Sequence, residues 1–354
     1  MSFADPARYR TWATRGVLRC VTWALTSLLV LTACAASARA QSDVPILTEL
    51  LAVRRVLPDV GPGLRGVCRG PGGNYYVLSA PGAAVLIYDA SGKRIGQVPA
   101  NPVGQAAIVY GESLSVDAAG RVAVADRGAD GVKVYAADGS LAVFVRVVSP
   151  ESVAFLEGGE GSELAVASLS GNHLITVYDI SGRFLREFGD PNDVAEQTLP
   201  IHQASAGVIA TDASSNVYFV FDYLPEATVL KYDRLGYASF DISSSIPELG
   251  LTAPKPAQVE RAEIAREQGG VSVAPHRVIT GMGVDPQSQD LWVSAGTLLL
   301  HFDKDGNRVA SYRTYTPGGG RLESTTILVE ADRLLLGADP FGLYEFARPD
   351  KAAH

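Results

Sequence analysis

Residues able to do metal or acid–base chemistry are scattered in this chain. A divalent metal held by His with Glu, Asp or Asn needs donors from several segments converging at matching depth. Of the five histidines, His354 lies in the tail and His301 inside an apolar stretch, while His173, His202 and His276 share no common offset in the repeat described below. No metal and no other cofactor is therefore expected. There is no Gly-x-Ser-x-Gly elbow, P-loop or dinucleotide fingerprint in a strand–turn–helix setting, and the Gly-rich stretches read as turns. Cys68 is the only cysteine beyond the N-terminal region, so neither a disulfide nor a Cys/His zinc cluster is expected. What remains is a set of charged and polar residues whose value depends on the elements that carry them.

Those elements repeat. Val85–Lys93, Val132–Ser140, Ile175–Arg183, Val229–Tyr237 and Leu299–Asn307 share apolar alternation, an aromatic, usually Asp, and then Gly; Gly342–Phe346 is a weaker copy. The aromatics Tyr88, Tyr135, Tyr178, Tyr232, Phe302 and Phe346 recur roughly every 45 residues apart from two longer intervals, a period that means a solenoid or propeller. Each copy reads as a strand, an Asp/Ser-Gly turn in which Gly supplies positive φ, and a second strand. A further strand pair precedes it, as in Ser113–Asp126 and Val208–Phe221. Four strands in six units give an all-β, six-bladed β-propeller, which suits a chain with 36 Gly and 20 Pro.

Leu114–Tyr135 and Leu164–Tyr178 resemble NHL repeats, in which a strand, an Asp/Ser…Asn-His loop, a second strand and a Tyr/Phe-Asp-x-x-Gly turn recur. The likeness covers about residues 60 to 348 and implies the propeller fold of an exported or lipoprotein type. Such propellers include ligand-binding modules, interaction scaffolds and a minority of enzymes, so the resemblance implies no single activity.

The propeller is expected to span 45–350. The tail after Phe346 is too polar for a good outer strand, so the apolar segment Ile46–Leu57 is expected to close the last blade and remove a free sheet edge. Two insertions, 189–203 and about 241–276, fall between the outermost strand of one blade and the innermost strand of the next; within the second, Pro256–Gly269 reads as a short helix. These connections emerge on the face that also carries the second-to-third-strand loops, and inserted loops on a rigid scaffold are where binding resides. Candidate contacts on this face are Arg65, Glu112, Glu151 and Thr280 before innermost strands, with Asp126, Arg127, Asn172, His173, Asp222, Tyr223 and Asp339 in the second-to-third-strand loops.

Residues 1–33 read as an export signal, with Arg8, Arg10, Arg15 and Arg19 before an uncharged run from Cys20 to Ala38. Leu31-Thr-Ala-Cys34 resembles a lipobox, which makes Cys34 the acylated first residue of the mature chain and 34–44 a linker; cleavage after Ala40 is the competing expectation. Either places the chain in a bacterial periplasm or at the outer membrane, with membrane attachment by lipid anchor if Cys34 is acylated. The net charge of −8 and the lack of a basic cluster beyond the signal exclude nucleic acid as principal partner. The expectation is a monomeric, non-catalytic binding or scaffold protein for a protein, peptide or glycan. The alternative is a propeller enzyme of the metal-dependent lyase or lactonase type with its site at the central channel.

Overall fold

The computed structural model describes residues 46–351 apart from 62, 80–82, 159–160, 192–204, 225, 251–276 and 339–341. The expected signal, the Cys34 lipidation site, the linker 34–44 and the helix 256–269 lie outside the described residues. Within them the chain forms six sheets in sequence order, antiparallel apart from one added edge strand, each a blade of a six-bladed β-propeller. Their innermost strands are Leu64–Arg69, Gly111–Val116, Pro150–Leu156, Gly207–Thr211, Ile279–Val284 and Ser324–Val329, for blades 1 to 6.

The strands read as they do because each blade is buried on both faces. Second strands such as Val122–Asp126, Val217–Phe221 and Leu291–Ala295 are buried along their whole length. Their side chains fill apolar clusters between adjacent blades: Leu78, Val85 and Tyr135 between blades 1 and 2, and Trp292, Leu299 and Phe346 between blades 5 and 6. Asp-x-x-Gly turns close the hairpins on one face. Asp89 Oδ1 accepts from the Ser91 and Lys93 amides at 2.9 and 3.0 Å, and Gly92 adopts φ 86°, a conformation that favours glycine.

The closing segment divides its work between two blades. β1 (Leu47–Leu51) pairs in parallel with Arg308–Tyr315, making blade 5 five-stranded, and β2 (Arg54–Val56) pairs antiparallel with Gly342–Ala347 as the outer strand of blade 6. The crossing is short: the Ala52 amide donates to the Tyr315 carbonyl at 2.9 Å and the Val53 amide to the Glu345 carbonyl at 2.7 Å. A single strand in the last blade was the simpler expectation. The eight-residue outer strand of blade 5 offers an edge that the segment covers before it reaches blade 6, and period-two patterning does not distinguish which neighbour an edge strand will choose.

The innermost strands would leave backbone groups unpaired toward the channel, a cost that hydroxyls from neighbouring blades reduce. Ser113 and Ser115 Oγ accept from the Val153 and Phe155 amides at 3.2 and 3.0 Å, and Ser152 Oγ accepts from the Ile209 amide at 3.0 Å. Cys68 Sγ donates to the Leu114 carbonyl at 3.4 Å in the same manner. Burial pushes the Cys68 thiol up to about 12, so it is a structural group and no thiolate nucleophile.

Candidate functional site

The central channel encloses a cavity of about 870 Å³ lined by all six innermost strands. In five of them the register with the second strand slips by one residue, between Leu64 and Gly66, Gly111 and Ser113, Pro150 and Ser152, Ile279 and Gly281, and Ser324 and Thr326. The extra residues are Arg65, Glu112, Glu151, Thr280 and Thr325, and all five line the cavity. A bulge bends its strand and re-aims one side chain out of the sheet. Here the same device, at the same position in each blade, sets a ring of side chains at one mouth of the channel. Blade 4 pairs without a slip and contributes none.

Arg65, Thr280 and Thr325 reach the next blade directly, and Glu112 and Glu151 are bridged by Arg127. Arg65 Nη1 lies 3.5 Å from Glu112 Oε2, while its Nη2 donates to Tyr110 Oη at 2.5 Å. Arg127, on the turn after the second strand of blade 2, places Nη1 3.3 Å from Glu112 Oε1 and 3.0 Å from Glu151 Oε1. Thr280 Oγ1 donates to the Ser324 carbonyl at 2.5 Å, and Thr325 Oγ1 to the Leu64 carbonyl at 3.1 Å. Between blades 4 and 5 the tie is Asp222. Its carbonyl accepts from the Val278 and Ile279 amides at 2.8 and 3.0 Å, and its carboxylate accepts from Arg277 Nε at 2.7 Å.

Arg65, Glu112, Arg127, Glu151, Asp222 and the partly buried Tyr223 therefore form one neighbourhood, as their loop positions predict. Asp126 does not join it. It is fully buried, paired with Lys133 Nζ at 2.7 Å, and accepts from the Val109 and Tyr110 amides at 2.9 and 2.8 Å. Asp126 stands at the strand end, where its side chain turns into the blade to satisfy buried donors. His173 sits away from the channel, with Nδ1 3.0 Å from Glu187 Oε1 on the outer strand of blade 3. Asp339 lies outside the described residues, as do His202 and His276. Arg277 is the residue that sequence reasoning missed. Its place two residues before the innermost strand Ile279–Val284, at the same mouth as Thr280, is the signal that could have found it.

The electrostatics of the mouth are set by burial. Glu151 is pushed up to about 7, first by desolvation and then by the Asp222 charge, with Arg277 and Arg127 pulling the other way and Glu112 adding repulsion. Asp222 is raised to about 6 by burial, against the attraction of Arg277. A carboxyl raised above its unfolded value binds protons more tightly in the folded chain, so its ionisation destabilises the fold as pH rises toward the folded value. The gain in thermal stability of the wild type between pH 8 and pH 5.5, relative to Glu151→Gln, should thus be positive. Equal pH dependence of the two unfolding midpoints would remove the basis for this shift.

Two other polar clusters lie at the opposite face. Glu330 accepts from Arg333 Nε at 2.6 Å and pairs with Arg69, whose guanidinium stacks 4.3 Å from the Tyr75 ring centre. Among the described residues, one group of His and carboxylate donors is close enough together to hold a metal: Asp290, His301 and Asp350, within 4.8 Å. His301 stacks on Trp292 at 4.0 Å, and Asp350 is engaged by Arg348 at 3.0 and 2.5 Å.

No family model matches the chain, NHL repeats included, and no curated protein matches it. Solved structures do. A streptogramin B lyase aligns at 13% identity and TM-score 0.51, covering 82% of this chain and 84% of its own. A gluconolactonase from Xanthomonas campestris aligns at 14% and 0.52, covering 83% and 89%. The protein U3-55K aligns at 9% and 0.54, covering 83% and 98%. At these identities the likeness is one of fold: the chain is a six-bladed β-propeller whose structural neighbours include a lyase, a lactonase and a WD40-repeat protein.

Proposed function

We propose that this chain is a non-catalytic, extracytoplasmic binding propeller that takes a peptide, protein or glycan ligand at the mouth ringed by Arg65, Glu112, Glu151 and Arg277. The observation that carries this reading is the position of Arg127. Its guanidinium lies between the Glu112 and Glu151 carboxylates, the place where a metal-dependent site would put its cation, and it leaves two anions and two further cations around an open cavity. Polar groups converging on a preformed concavity are the usual build of a ligand site. The extracytoplasmic address rests on the basic and apolar pattern of residues 1–38, and anchoring by Cys34 on the lipobox-like Leu31–Cys34.

A second reading, an enzyme of the lyase or lactonase type, is favoured by one observation. Glu151 is held near 7, where a carboxyl can act as general acid or base. Metal analysis of the purified protein, with lactone and lyase substrates in parallel, separates the two readings.

The combined variant Glu112→Gln, Arg127→Ala, Glu151→Gln should lose ligand binding in a screen of peptides and glycans while changing stability by less than about 2 kcal/mol. Replacing Lys93, Arg183 and Lys304 at the opposite turns should leave binding intact. Loss of binding in the second variant with retention in the first would place the site on the other face.

A further inference from the structure

Glu151 is the least compensated anion at the mouth. Glu112 has Arg65 at 3.5 Å as well as Arg127, and Asp222 has Arg277, whereas among the described residues the ion-pair partner of Glu151 is Arg127 alone, at 3.0 Å. The two glutamates are well shielded, with side chains 14% and 11% exposed, but Arg127 is 43% exposed on a surface turn. A long side chain held that way contributes little and is readily exchanged. Beside this pair, fully buried Asp222 keeps Oδ1 without a hydrogen-bond partner among the described residues. Among the described residues the Asp222 side of the mouth thus keeps an unanswered acceptor, while the unpartnered donor, Arg65 Nε, lies on the Glu112 side, and a cavity opens next to both glutamates.

We infer, on the reading that the mouth is the ligand site, that the gap between Glu112 and Glu151 receives a cationic N–H group of the ligand, a guanidinium or primary ammonium. Arg127 occupies that gap in its absence and swings out on binding. A guanidinium supplies a planar fork of donors that can span two carboxylates on adjacent blades, as Arg127 itself does. Arg65 and Arg277, which flank the gap, then meet carbonyl, hydroxyl or carboxylate oxygens of the same ligand. The groups facing Glu151 are Asp222, Glu112 and Tyr223 on one side of the balance and Arg277 and Arg127 on the other. Below about pH 7 Glu151 takes up a proton and its attraction for the cation is lost.

Calorimetric titration of the full chain with agmatine and with the peptide Gly-Arg-Gly tests this, the two probes separating a free small cation from a basic side chain. Arg127→Ala should bind the preferred probe up to about fivefold more tightly than wild type, the scale of an exposed ion pair removed as competitor. Glu151→Gln should bind it at least about tenfold more weakly, and the wild type should weaken between pH 8 and pH 6 by more than Glu151→Gln, in which Asp222 alone titrates. Arg127→Gln, which keeps the side-chain bulk, should follow Arg127→Ala. Weaker cation binding by both Arg127 variants, or no binding of either probe by wild type and variants, overturns the inference. Glutarate binding that depends on Arg65 and Arg277, with neither cationic probe bound, would overturn it while leaving the mouth as the ligand site.

Discussion

A chain that starts at Pro58 instead of Ile46 should unfold about 10 °C lower, a loss of about 5 kcal/mol. The truncation removes β1 and β2, and with them the register pairs Leu47 to Ser311 through Leu51 to Tyr315 and Arg54 to Glu345 through Val56 to Leu343. It also strips Ala52 from the cluster between blades 5 and 6 and Leu57 from the cluster between blades 6 and 1. Removal of one buried Leu side chain costs about 2–5 kcal/mol, and about 1 kcal/mol corresponds to roughly 2–4 °C in a domain of this size class. Blade 6 would be left with three strands, and the outer edges of Arg308–Tyr315 and Gly342–Ala347 would be newly uncovered. A chain starting at Ala52 loses only the parallel strand and should fall between the two. Thermal unfolding followed by circular dichroism decides the matter, and an unchanged midpoint for the chain starting at Pro58 would show that closure does not depend on this segment.

Asp126→Ala should be the most destabilising single change among the residues that face position alone marked for binding. It strands Lys133, which is 2% exposed and paired with Asp126 Oδ2 at 2.7 Å, as an uncompensated buried cation. It also orphans the Val109 and Tyr110 amides. Breaking a buried ion pair by removing one partner costs about 3–5 kcal/mol. Asp126→Ala with Lys133→Met should recover part of that loss, because both charges then leave together. Denaturant titration of the three variants gives the cycle. A loss below about 1 kcal/mol for Asp126→Ala would contradict the structural assignment, and such a variant would then return to the list of ligand contacts.

The propeller was legible because it is written redundantly: the aromatic, Asp and Gly of each hairpin turn recur at Tyr88, Tyr178, Tyr232 and Phe302, and burial of both blade faces enforces apolar alternation in every copy. The face on which these loops gather followed from chain direction alone, since alternate turns of an antiparallel blade point to alternate ends. Within that face, sequence could not separate Asp126 from its neighbour Arg127. Adjacent residues at a strand end point to opposite sides, and only the partners Lys133 and Glu151, contributed by different strands, reveal which one turns inward. The parallel docking of β1 was hidden for a related reason: an edge strand's choice of neighbour depends on which edge is left uncovered, and that is a property of the assembled ring.

The slipped register of the innermost strands has a consequence for how such a molecule can change its specificity. At Arg65, Glu112, Glu151, Thr280 and Thr325 the extra residue takes no partner on the second strand, so its identity is uncoupled from the ladder on either side of it. The scaffold offers five such slots, one in each blade except the fourth, of which Thr280 and Thr325 are tied to the next blade by their hydroxyls and Arg65, Glu112 and Glu151 are held by ion pairs alone or with a tyrosine hydroxyl. On the proposal that this mouth binds a ligand, recognition would be modular around a circle, and a library varied at those five codons would test it on an unaltered frame.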